Sequence, residues 1–95
     1  MSDQETLPHL DFATFVLSLS HSALMHLGEV PDPETNKTQV DLALAKQNVD
    51  ILGLLEEKTK GNLTGDEERL LAQVLFDLRM RYVERSKADA PAPSK

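Results

Sequence analysis

Three histidines are the side chains best suited to metal binding in this 95-residue chain, which contains no cysteine. His21 and His26 are five positions apart, so on a helix they point about 140° away from each other and cannot share one ion. His9 lies before that helix, and no carboxylate or thiol stands at ligand spacing beside the pair. We therefore expect no metal site formed within one chain.

A second combination that could do chemistry is His21 with the serines around it, Ser18, Ser20 and Ser22. A serine nucleophile needs a base within hydrogen-bond reach and a third group that orients the base. Residues adjacent in sequence face different directions on a helix, and no third residue is nominated here. The pattern is more typical of small hydroxyl side chains that face water or allow close helix packing.

Five carboxylates are grouped near one loop, at Glu56, Glu57, Asp66, Glu67 and Glu68. The loop lacks the alternating Asp or Asn ligands and the final Glu of a calcium loop. Nothing marks a pocket around these groups of the kind that acid–base catalysis requires. Helix capping and solvation explain them, so we expect a protein that is not an enzyme and holds no cofactor.

A basic set follows at Arg79, Arg81, Arg85 and Lys87. These side chains could bind an anion or an acidic partner. Basic residues also accumulate at the solvated C-terminal end of a helix, where the helix dipole favours them. The pattern favours the second interpretation and leaves the role of the three arginines open.

The overall charge argues against two classes of partner. The formal net charge is −6, which disfavours a sequence-independent grip on phosphate backbones, and the chain has one Tyr and no Trp to stack on bases. No apolar run approaches the ~20 residues that span a bilayer, and the first five residues are acidic where a secretory signal would be basic. We expect a cytoplasmic protein that binds neither nucleic acid nor membrane.

Hydrophobic periodicity predicts three helices and no strand, at about residues 11–27, 39–60 and 65–85. The last helix begins with Thr64-Gly65-Asp66-Glu67, which has the form of a capping box. The second begins at either Thr38 or Asp41. Because only a few residues around Gly61 separate the last two helices, they form a long antiparallel hairpin. The fold class is therefore all-α, with an N-terminal helix added to a helical hairpin.

The remaining segments bound a single domain over residues 11–85. Residues 1–10 form a polar leader that we expect to be flexible. Residues 29–37 contain two prolines and connect the first two helices. Residues 86–95 have the composition of a disordered tail. Gly53 lies in the middle of the second helix, either because another backbone approaches it or as a tolerated defect.

Two of the helices carry more apolar surface than one small bundle covers. The third has an inner stripe around Leu71, Leu75 and Leu78, and a second apolar stripe on the opposite side. The first helix has an apolar arc of roughly 200°. Contiguous apolar patches on a soluble protein usually mark an interface. The candidate interface residues are Phe12, Val16, Leu17, Leu24, Ala72, Phe76, Met80 and Val83.

The residues laid out above resemble a bacterial domain-of-unknown-function family, number eighteen-forty-four in that series. The resemblance covers roughly residues 11–85, and the segments that carry it are 12–19, 27–34, 42–47, 50–52, 56–64 and 78–82. Among them are Leu27-Gly28-Glu29-Val30-Pro31 and Leu78-Arg79-Met80-Arg81-Tyr82. The resemblance implies a short helical protein without a known activity and supplies no catalytic or binding residues.

Three hypotheses for function remain. The first is a non-enzymatic helical interaction module that self-associates, most simply as a homodimer. The second is a small adaptor or accessory subunit that presents the same apolar stripe to a different protein. The third, which the sequence favours least, is a small ligand-binding protein or enzyme, and it requires a pocket with polar groups.

Overall fold

The computed structural model describes residues 10–89, which form three helices. These are α1 (Phe12–His26), α2 (Leu42–Lys58) and α3 (Gly65–Asp89). No strand occurs among the described residues, where β-type pairing is limited to one isolated antiparallel bridge between Leu27 and Val40. The predicted all-α fold with three helices is confirmed.

Side-chain caps set where each helix begins. The Asp11 carboxylate accepts from the Thr14 amide at 2.8 Å at the start of α1. Asp41, rather than Thr38, caps α2, since its carboxylate accepts from the Leu44 amide at 3.1 Å. Each cap satisfies a backbone donor that has no partner within its own helix.

The capping box of α3 is present in both directions. The Glu67 amide donates to Thr64 Oγ1 at 3.2 Å, and the Thr64 amide donates to Glu67 Oε1 at 2.9 Å. Asp66, Glu67 and Glu68 all lie in the first turn, where the helix dipole favours negative charge. The predicted start of α3 is therefore confirmed.

Glycines in left-handed conformations follow the first two helices. Gly28 has φ +79°, and it completes a Schellman motif in which the Gly28 amide donates to Met25 O and the Glu29 amide to Leu24 O. Gly61 has φ +85° and stands just past Thr59, the C-cap of α2. The Gly28 turn ends α1, and the turn at Gly61 lies in the short connection between α2 and α3 that makes the predicted hairpin.

The core lies where the three helices meet and is entirely apolar. Its fully or almost fully buried residues are Val16, Ala23, Leu27, Ala45, Val49, Leu52, Leu71, Leu75 and Leu78. Every helix contributes, and Leu27 adds the residue that ends α1. Burial of each Val or Leu side chain among them contributes roughly 1.5–3 kcal/mol to folding.

The end of α3 differs from the prediction. The helix continues to Asp89, so residues 86–89, which were predicted to belong to a disordered tail, are helical. Ser86, Lys87, Ala88 and Asp89 include no Gly or Pro, and the first proline is Pro91. Nothing in that segment interrupts a helix that is already formed. Residues 90–95 of the predicted tail and residues 1–9 of the predicted leader lie outside the described residues.

Gly53 faces a side chain rather than another backbone. A Cβ built at this position would lie 3.1 Å from Nη2 of Arg79, and no backbone atom of another segment comes within 4 Å. Of the two alternatives predicted for Gly53, the approach of another backbone is therefore not found among the described residues. The guanidinium of Arg79 lies across α2 here, on the side of α3 that faces α2.

Candidate interaction surface

The second apolar stripe of α3 is exposed along its whole length. We name it the outer stripe and define it as Ala72, Phe76, Met80 and Val83. Phe76 is 68% exposed, and Met80 and Val83 are each 50% exposed. Ala72 is exposed as well. The four residues recur at intervals of four, four and three, so they form one continuous strip on the helix.

The position of the outer stripe follows from the side of α3 that the core uses. Leu71, Leu75 and Leu78 are at most 1% exposed and pack in the core with residues of α1 and α2. At about 100° per residue, Phe76 and Val83 project to the side roughly opposite these leucines. A single layer of neighbours cannot cover both sides of one helix. The outer stripe therefore faces solvent in the isolated chain.

The candidate residues of α1 are placed differently from one another. Leu17 is 51% exposed, whereas Phe12 and Leu24 are half-buried and pack against the core. Val16 is fully buried and is a core residue, so it offers no surface to a partner. The core thus takes up most of the wide apolar arc of α1. Among the candidate interface residues, the exposed ones are therefore Leu17 on α1 and the outer stripe on α3.

An apolar surface on α2 was missed by the sequence analysis. Leu44, Ile51 and Leu54 are between 41 and 54% exposed and share one side of the helix. In the sequence Leu44 and Ile51 belong to a wide apolar arc of α2 that also contains Leu52 and Leu55, and no candidate interface residue was predicted on this helix. The width of this arc, about half the circumference, was the signal that one neighbouring layer would not cover it.

The arginines of α3 are used within the fold. Arg81 Nη1 lies 2.9 Å from Glu29 Oε1, and Arg81 Nε lies 2.8 Å from Asp77 Oδ2. The pKa of Arg81 is raised above its ordinary value, chiefly by the hydrogen bond to Asp77 and further by the charges of Asp77 and Glu29. Arg85 Nε donates to the carbonyl oxygen of Leu27 at 3.1 Å. Arg81 and Arg85 therefore join α3 to the end of α1.

The residues considered for chemistry are dispersed. His21 and His26 both lie on α1, five positions apart, and no group of three or more His, Asp or Glu between residues 10 and 89 is placed to hold a metal ion. Within the same range no polar side chain is buried. Glu67 is engaged in capping Thr64, and Asp66 pairs with Arg69 on the surface.

The depressions on the surface are small. One of about 220 Å³ lies between the end of α1 and the start of α2. Its lining is Met25, His26, Asp32, Gln39, Val40, Asp41 and Leu44. The Asp41 carboxylate in its wall is already used to cap α2. None of the three described helices is long and apolar enough to cross a bilayer.

Comparison with known proteins gives one positive result. Neither the curated proteins nor the solved structures contain a match to this chain. A family model described as a domain of unknown function (DUF1844) matches residues 9–84, which include all of α1 and α2 and most of α3. The resemblance inferred from the sequence over residues 11–85 is confirmed by this match. The chain belongs to the DUF1844 family.

Proposed function

We propose that this protein is a non-enzymatic helical interaction module of the cytoplasm that self-associates through the outer stripe of α3. The observation that carries the proposal is the exposure of Phe76, which is continuous with exposed Met80 and Val83. Large contiguous apolar patches are rare on soluble monomers and usually mark a binding surface. Aromatic side chains and Met are enriched in the cores of such surfaces.

Several features support an interaction role over a catalytic one. Interfaces bury apolar side chains that are already rigidly placed, and Phe76 stands on a 25-residue helix anchored to the core by Leu75 and Leu78. A catalytic site, by contrast, uses polar groups that converge in a pocket. The described residues offer an apolar strip of this kind and no buried polar cluster.

A second copy of the chain is the partner that we propose. Closed two-fold dimers are the most common assembly of soluble proteins, and they require a surface that complements itself. The outer stripe is almost uniformly apolar, so two copies can pack against each other without burying an unpaired charge.

The experiment is to measure the mass of wild type and of two matched variants by light scattering at about 100 µM, a concentration at which contacts of moderate affinity are populated. Phe76→Asp places a charge in the centre of the outer stripe. Leu54→Asp places the same charge on an exposed site of α2, outside the proposed interface. We expect wild type and Leu54→Asp to be dimers and Phe76→Asp to be a monomer.

Two results would argue against the proposal. A dimer that persists in Phe76→Asp would exclude the outer stripe from the interface. A wild-type monomer that binds an apolar dye, with the dye signal lost in Phe76→Asp, would instead favour the adaptor hypothesis. Far-UV circular dichroism of each variant checks that the helices are retained.

A further inference from the structure

The outer stripe has the spacing of a coiled-coil seam. Phe76, Met80 and Val83 are separated by four and three residues, as are successive d, a and d positions of a heptad. The same alternation reaches Gln73 on one side and Lys87 on the other, and both are exposed. The seam thus has three apolar positions with a polar residue at each end. It is about 21 Å long at the helical rise per residue.

Charged residues flank this seam in a specific order. In the same register Arg79 takes a g position, and Asp77 and Glu84 take e positions. Asp77 is bonded to Arg81 on its own helix. Arg79 and Glu84 are exposed and form no ion pair or hydrogen bond with another residue between positions 10 and 89. Neither charge is therefore paired among the described residues, and the Arg79 guanidinium, which lies beside Gly53 of α2, has to turn away from that position to reach a second copy.

The order of these charges distinguishes the two ways in which a pair of α3 helices can lie. In a parallel pair a g residue faces the e residue five positions further along the other helix, so Arg79 faces Glu84 of the second copy. Two-fold symmetry produces this ion pair twice. In an antiparallel pair e faces e and g faces g. Asp77 then meets Glu84, or Arg79 meets Arg79, and like charges across an interface are unfavourable.

We infer that two copies of the chain pair their α3 helices in parallel, with Phe76, Met80 and Val83 on the two-fold axis. Arg79 of each copy forms an ion pair with Glu84 of the other. The inference rests on the proposed function, because it requires a second copy as the partner. It adds the direction of the helices, the register of the seam and the residues that select both.

The absence of cysteine from the chain makes the direction of the helices measurable. Gln73→Cys and Lys87→Cys each place one thiol at one end of the seam. In a parallel dimer the thiol of one chain lies opposite the same thiol of the other chain, within the range that a disulfide spans. In an antiparallel dimer identical positions of the two chains lie at opposite ends of the seam, about 21 Å apart. A thiol at 73 of one chain then lies near a thiol at 87 of the other.

The expected result is that each single-cysteine variant forms a covalent dimer under mild oxidation. Gln47→Cys, an exposed position on α2, is the control for random collision and should stay largely monomeric on a denaturing gel. If a mixture of the two variants yields the 73–87 product and neither variant links to itself, the parallel arrangement is wrong. Because a dimer is still required for that product, this outcome would leave the proposed function intact.

A charge exchange tests the flanking pairs. Arg79→Glu and Glu84→Arg each place like charges across both flanks of a parallel seam, so we expect either variant alone to weaken dimerisation roughly three- to tenfold. The double variant restores opposite charges and should return to near the wild-type dissociation constant. A double variant as weak as the worse single variant would overturn the assigned register. A wild-type chain that remains monomeric in the same sedimentation series would overturn the proposed function itself.

Discussion

The guanidinium of Arg85 caps the end of α1 from 58 residues away, since its Nε donates a 3.1 Å hydrogen bond to the carbonyl oxygen of Leu27. Leu27 is the C-cap of α1, and its side chain is fully buried. Carbonyl groups at a helix end have no partner within the helix, so a charged donor at this position is favourable. The contact sets the end of α1 against the last turns of α3.

Arg85→Met tests the contribution of this contact to stability. The substitution keeps most of the aliphatic stem and removes the donor, so we expect the free energy of unfolding to fall by about 1–2 kcal/mol. Arg69→Met is the matched control because Arg69 pairs with Asp66 on the exposed surface, where ion pairs contribute little. Urea denaturation followed by circular dichroism measures both. Equal effects of the two variants would show that the contact does not stabilise the fold.

The choice of N-cap for α2 is open to a direct test. Asp41→Ala removes the acceptor for the Leu44 amide and should lower the free energy of unfolding by about 1 kcal/mol. Thr38→Ala changes the other candidate cap, which is exposed and lies three residues before Asp41, and should have almost no effect. The urea midpoints of the two variants show which residue caps α2. A larger loss for Thr38→Ala would place the start of the helix earlier.

Two glycines are predicted to respond in opposite ways to alanine. At Gly53 the new methyl meets only the flexible end of Arg79, so the gain in helix propensity should raise the free energy of unfolding by about 0.5–1 kcal/mol. At Gly61 there is open space, but φ is +85° and an L side chain is strained, so the same change should cost about 1 kcal/mol. Thermal unfolding of both variants measures the sign. A destabilised Gly53→Ala would mean that Arg79 cannot shift.

Leu75 and Phe76 are neighbours in sequence with opposite expected roles. Leu75→Ala leaves a cavity in the core and should cost about 2–5 kcal/mol of stability at any protein concentration. Phe76→Ala removes an exposed side chain, so in dilute solution it should change the stability by less than about 0.5 kcal/mol. At high concentration, where dimerisation adds to the stability of wild type, Phe76→Ala should lose that increment. Unfolding measured at two protein concentrations separates these effects.

Local signals in the sequence were sufficient for most of the fold. The capping box at Thr64 and the cap at Asp11 act over three residues, so their outcome depends little on the rest of the chain. The end of α3 was placed too early because the composition after Arg85 was read as a tail, although no residue before Pro91 breaks a helix.

Long-range relationships were less accessible from the sequence. Periodicity correctly placed the outer stripe on the side of α3 away from the core. It could not decide which part of the wide arcs on α1 and α2 would be covered, because that depends on how the helices cross. As a result Val16, which was predicted to lie at an interface, is buried in the core, whereas Leu54, for which no surface role was predicted, is exposed. The contact of Arg85 with Leu27 also had no signal, since it joins segments that are distant in sequence.

The most direct test of a self-associating outer stripe is the mass of the unmodified chain as a function of concentration. Sedimentation equilibrium from about 1 to about 200 µM covers the range expected for a short apolar seam. We predict a mass that approaches twice 10.6 kDa at the upper end and falls toward 10.6 kDa on dilution. A mass of 10.6 kDa at every concentration would contradict the account.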